Sequence, residues 1–86
     1  MSKEFLTAAE YVQKLKQTPN SEELSQLYGY YKQATVGDIN INRPGLLDIK
    51  GRAKWDSWNS YKGMDKHTAE CNYITVVNSL IKKYGL

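Results

Sequence analysis

Tyr28-Gly29-Tyr30-Tyr31-Lys32-Gln33-Ala34-Thr35-Val36-Gly37-Asp38 sets an aromatic face and a lysine side by side and closes on Gly37-Asp38. At about 100° per residue, Leu24, Leu27, Tyr28, Tyr31, Ala34 and Thr35 share one broad helical face, with Lys32 roughly 40° outside Tyr28. Tyr28 and Lys32, one i,i+4 step apart, are therefore neighbours, and the cation stands at the rim of an apolar surface. The pattern recurs in Lys50-Gly51-Arg52-Ala53-Lys54-Trp55-Asp56-Ser57-Trp58, where Trp55, Trp58 and Tyr61 share a face and Lys54 precedes Trp58 by one turn. Two such rims facing one groove suit a long molecule with an anionic head and a greasy tail.

Outward from this stretch the chain reads as helix throughout. Asn20 caps the central helix, with Glu22 and Glu23 in its first turn, and the helix should run to Val36 and stop at Gly37. Upstream, Phe5, Ala8, Ala9, Val12 and Leu15 recur at helical spacing from Lys3 to about Lys16, until Thr18-Pro19 interrupts. Downstream, a third helix is predicted from Gly51 or Arg52 to Lys62, ending at Gly63. Asp65 can cap a fourth, on which Ala69, Tyr73, Val76, Val77, Leu80 and Tyr84 form one stripe before Gly85. The residues between Gly37 and Lys50 have no sustained period, but Ile39, Ile41, Leu46, Leu47 and Ile49 are too apolar for a disordered linker, so this long loop should be pinned down. Four helices with neither strand signal nor repeat give an all-α bundle. Its main core is expected where the first and last helices pack together, leaving the aromatic middle helices to build a site.

Eighty-six residues suffice for one small core and no separate catalytic domain, so residues 1–86 are read as a single domain. The lone cysteine, Cys71, excludes an internal disulfide, and no apolar run approaches the roughly 20 residues that span a bilayer. With no secretion signal either, the expectation is a soluble, cytoplasmic monomer without stable membrane insertion. A net charge of +3 is a mild bias, short of a nucleic-acid coat, so no nucleic-acid partner is expected.

Signatures of catalysis are missing: no Gly-x-x-x-x-Gly-Lys phosphate loop, no Gly-x-Ser-x-Gly elbow, no cysteine pair for zinc. His67 and Cys71 lie one turn apart, but two ligands do not make a zinc site. A non-enzyme without metal or cofactor is expected. Taken singly, Tyr28, Tyr31 and Tyr73 read as core aromatics with a hydroxyl reaching water, Lys32, Lys50, Arg52 and Lys54 as a solvated positive face, and the two tryptophans as core.

The order of these residues says more than their number. Tyr-x-Tyr-Tyr-Lys-Gln-Ala-Thr-Val-Gly-Asp-Ile-Asn from Tyr28 to Asn40, then Arg43-Pro44-Gly45 and Lys-Trp-x-x-Trp from Lys54 to Trp58, closely resembles the acyl-CoA-binding protein family, also called diazepam-binding inhibitor or endozepine. The likeness covers nearly the whole chain, from Phe5 and Ala9 to Lys83-Tyr84-Gly85. It implies an up-down-down-up four-helix bundle that binds medium- to long-chain acyl-CoA esters non-covalently, as an intracellular carrier and pool former. It further implies that Tyr28, Lys32, Lys54 and Tyr73 contact the ligand, with Lys32 and Lys54 directed to the 3′-phosphate end, Tyr31 beside the adenine and Lys50 within the binding set. Gln13 departs from the family, whose members often carry lysine there; Lys14 is the candidate to replace it. Transient contact with acyl-CoA-using enzymes would follow from such a role. The alternative reading is a helical interaction module whose aromatic face docks a partner helix. A thioesterase would need a nucleophile or base on the groove segments, and His67 and Cys71 are not on them.

Overall fold

In a computed structural model that describes residues 1–86, the chain forms α1 (Lys3–Tyr11), a short 3-10 turn (Val12–Lys14), α2 (Ser21–Thr35), α3 (Ile49–Ser60) and α4 (Lys66–Tyr84), with no strand. Polar caps set the starts. The Ser2 side chain accepts from the Phe5 N–H and Asp65 from Thr68. Asn20 and Glu23 form a reciprocal capping box, each side chain accepting the other's backbone N–H at 2.9 Å. Gly37, at φ 99°, takes the chain out of α2 by a conformation that a side chain would strain.

Two boundaries differ from the sequence reading. The first helix is α-helical only to Tyr11 and tightens into the 3-10 turn before Leu15 goes extended, so Lys14 and Lys16 lie beyond it. The third begins at Ile49 because the Asp48 carboxylate caps it, accepting from the Gly51 N–H at 2.9 Å, and it ends at Ser60.

Pairwise contacts fix the directions. Ser2 meets Glu70, Phe5 meets Tyr73 and Lys16 meets Gly85, so α1 and α4 run parallel. Gln33 meets Met64 and Glu23 meets Tyr84, so α2 is antiparallel to α4; Lys54 over Tyr28 and Lys32 over Trp58 make α2 and α3 parallel. The path is up-down-down-up. Packing places the helices in the order α3, α2, α4, α1 across a slab of 36 × 27 × 15 Å.

The core is Phe5, Ala8, Leu27, Ala34, Ala69, Tyr73, Val77 and Leu80, with Ala9, Val12, Leu15, Tyr30 and Tyr84 against it. Contrary to the expectation from the cleanest stripes, α4 packs more extensively on α2 than on α1. The reason is length and reach: α2 runs alongside α4 from Glu23 to Gln33, whereas α1 is regular for only nine residues.

The long loop is held down, but by polar bonds rather than by its apolar side chains. The indole N–H of Trp58 donates to the Gly37 carbonyl at 2.7 Å and that of Trp55 to the Ile41 carbonyl at 2.8 Å. Arg43 forms a bidentate pair with Asp56 at 2.9 and 2.8 Å. The Asp38 carboxylate accepts from the Gly63 N–H at 2.8 Å and Gln33 Nε2 at 2.9 Å, stitching the exit of α2 to the turn before α4. These bonds, from Gly63 first and Gln33 second, hold the Asp38 carboxyl below the usual carboxylate range.

Candidate functional site

Between the end of α1 and the first half of α2 lies an open groove of about 500 Å³. Ala9, Val12, Gln13 and Leu15 form one wall, Leu24, Leu27, Tyr28 and Tyr31 the other, Tyr73 of α4 contributes from a third element, and Gln17, Thr18 and Pro19 of the α1–α2 connection complete the lining. The groove exists because α1 and α2 both lean on α4 without packing along each other. Aromatics bridge them: the Phe5 ring stacks at 5.7 Å on Tyr31 and lies 5.0 Å from Tyr73, with Tyr31 and Tyr73 at 5.8 Å. Burial, with Tyr31 beside it, pushes the Tyr73 phenol up to about 12.

Charge gathers behind Tyr28, on its α3 side. Lys54 of α3 places its ammonium 5.5 Å from the centre of the Tyr28 ring, and Lys32 lies over the Trp58 ring at 4.9 Å. Each cation is stacked on an aromatic of the other helix. Both are free of acidic partners, since the two ion pairs of the molecule are Arg43–Asp56 and Lys83–Glu23. A head group carrying phosphates on this side would meet two positive charges, while an apolar tail would lie along the leucines and tyrosines.

A family model described as acyl-CoA-binding protein matches residues 2–77. The chain belongs to this family. Its relatives include a protein from a Hypsibius species named as an acyl-CoA-binding protein, 49% identical over 86 residues that cover 100% of this chain and 97% of that protein. Among solved structures, Oryza sativa acyl-CoA-binding protein 2 superposes with a TM-score of 0.89 at 42% identity, covering 93% of this chain and 87% of that one. The family protein of Moniliophthora perniciosa gives 0.88 at 45%, covering 96% and 83%.

Within this family member the residues singled out from sequence fall into three groups. Tyr28, Tyr31, Tyr73 and Gln13 line the groove. Lys54 stands beside it, stacked on Tyr28, and Lys32 lies one helical turn beyond Tyr28, over Trp58, which is outside the lining. Lys50, exposed in the first turn of α3, and Lys14, exposed in the 3-10 turn, are outside the lining, and no residue of α3 lines it. The expected pair of facing rims is thus one groove wall with a cationic edge borrowed from α3.

Sequence reasoning missed the lining supplied by Leu15, which read as part of the stripe of the first helix, and by Gln17, Thr18 and Pro19, of which Thr18-Pro19 read as an interruption rather than a surface. His67 and Cys71 are both exposed on α4, with the thiol 3.7 Å from Nε2, and neither lines the groove.

Proposed function

We propose that the groove holds the hydrocarbon of an acyl-CoA ester, with Tyr28, Tyr31 and Tyr73 around the ligand and Lys32 and Lys54 turned to the phosphate-bearing head. Acyl-CoA binding itself follows from the family, and so decides for a ligand carrier over a module that docks a partner helix. The observation that carries the placement is an apolar, aromatic groove with two lysines, free of acidic partners, on the α3 side of its Tyr28 wall. Magnitudes favour an esterified over a free coenzyme: each buried methylene contributes about 0.8 kcal/mol, so a tail of a dozen carbons or more supplies on the order of 10 kcal/mol before ordering costs. The head contributes orientation and charge matching.

The finer reading is a cytoplasmic monomer that carries and pools acyl-CoA without covalent chemistry, residues 1–86 acting as one domain, and hands ligand to enzymes by transient contact. It is supported by a site built of tyrosines, leucines and lysines, with the one histidine and the one cysteine elsewhere. Lys50, near the head-group end in sequence, is assigned to the outer rim of the phosphate contacts, and Gln13 to the groove wall in preference to Lys14.

Titration calorimetry with a chain-length series tests the proposal. Affinity should rise with each added methylene until the groove is full, and free coenzyme A should bind far more weakly. A series with no trend would remove the hydrophobic half of the reading.

A further inference from the structure

We propose that the segment from Leu46 to Arg52, at the entry to α3, docks the protein on a membrane surface bearing anionic lipids. Leu46, Leu47 and Ile49 are 77%, 98% and 78% exposed, and Ile41 of the same loop is 57% exposed. Single exposed leucines are ordinary, but three large apolar side chains within four residues, all turned to solvent, mark an interaction surface. They are held out rather than left loose. The backbone beneath them is tied by Trp55 to the Ile41 carbonyl, by Arg43 to Asp56, and by the Asp48 N–H to the Gly45 carbonyl at 3.1 Å. A loop fixed at these points presents its leucine pair at an apex between Gly45 and the Asp48 cap.

Charge identifies the occupant. Behind the apex come Lys50, Arg52 and Lys54, none of which has an acidic partner within ion-pair distance. Asp48, whose carboxylate caps the helix, remains an anion within the segment, so residues 46–54 carry one negative and three positive charges, a net +2, and Asp56 is paired with Arg43. Apolar side chains that enter the head-group layer, with cations just behind them, are the chemistry of an interfacial anchor on anionic lipid. A second copy of the chain fits poorly, because a two-fold pairing of these tips would bring the same cations face to face. The docked protein would also bring Lys54 and the Tyr28 end of the groove close to a phase that takes up amphiphiles with long tails.

The test is flotation of the full chain with vesicles of phosphatidylcholine, alone or with phosphatidylserine replacing about a third of it. The protein should float with the anionic vesicles and not the neutral ones, and added salt should release it. The double variant Leu46→Ser, Leu47→Ser, which leaves every groove residue in place, should lose at least about tenfold in bound fraction. Its acyl-CoA affinity by calorimetry and its helical circular dichroism should be unchanged. Equal flotation with both vesicle types, or a variant that floats like the parent, overturns the proposal. So does flotation with neither vesicle, and so does a dimer seen by sedimentation that the double variant dissolves. Loss of acyl-CoA binding in the parent with flotation intact would strike the ligand reading alone and leave this one standing.

Discussion

The two lysines at the groove edge show what one side chain can do in two states. Without ligand, each ammonium lies over an aromatic ring, an interaction worth about 0.5 to 1 kcal/mol at an exposed site. A hydrogen bond to a charged phosphate contributes about 1.5 to 3 kcal/mol, enough to draw the lysine off its ring. Lys32→Ala and Lys54→Ala should therefore each weaken acyl-CoA by about 1 to 2 kcal/mol, roughly 5- to 30-fold, and the dephospho ligand by less. Calorimetry on both ligands decides this, and equal losses would show that the lysines do not read the 3′-phosphate. Gln13 makes a smaller case in the opposite direction. It lies in the groove lining, so Gln13→Lys, which adds a cation there, should tighten binding by at most about 1 kcal/mol, with the gain vanishing at high salt. A gain that survives salt would be packing rather than charge.

Helices meet closely only where the sequence leaves room, and for α2 and α3 that place is Gly29. A methyl group there would come within 2.5 Å of Tyr61 Cε2 and 2.6 Å of Ser57 Oγ. Neither neighbour gives way easily, because Tyr61 is stacked on Tyr30 at 4.1 Å and the Ser57 hydroxyl donates to the Ser25 carbonyl. Gly29→Ala gains about 1 kcal/mol in helix propensity, but overpacking costs up to about 3, so a net loss of about 1 to 2 kcal/mol is expected in urea denaturation. A more stable variant would mean that α3 shifts freely on α2. From sequence alone, Gly29 was only a glycine in a helical pattern. What was legible was periodic: the stripes of α1, α2 and α4, the Asn20 and Asp65 caps and the Gly37 stop all stand where spacing and cap chemistry put them. What was not legible depended on partners. Asp48 passed unread as a cap, the 3-10 tightening after Tyr11 left no mark in the apolar spacing, and the loop's isoleucines and leucines suggested burial while the tryptophan N–H groups held the loop instead. The groove tyrosines could be chosen from the motif, but the facing wall required knowing that α1 and α2 splay apart.

The whole slab is tied at the groove's far end, where the start of α2 meets the finish of α4. Glu23 accepts from the Tyr84 hydroxyl at 2.6 Å, the Asn20 N–H at 2.9 Å and Lys83 Nζ at 3.0 Å. These bonds, Tyr84 first, then Asn20 and then Lys83, lower the Glu23 carboxyl from 4.5 to about 2. A carboxyl whose folded value lies below its unfolded one stabilises the fold fully above the unfolded value. That stabilisation is lost as the pH falls from about 4.5 toward 2 and the group protonates. Glu23→Gln, which keeps an oxygen acceptor but cannot ionise, should be less stable than the parent at neutral pH, and the gap between their urea midpoints should close through this acid window. The parent's slope will not vanish in the variant, because Asp38, Asp56, Asp65 and Glu70 are also held below their ordinary values by hydrogen bonds to their neighbours. A gap that stays constant from neutral pH down to about 2 would show that the charge of Glu23 contributes nothing. The clasp between α2 and α4 would then rest on hydrogen-bond geometry alone.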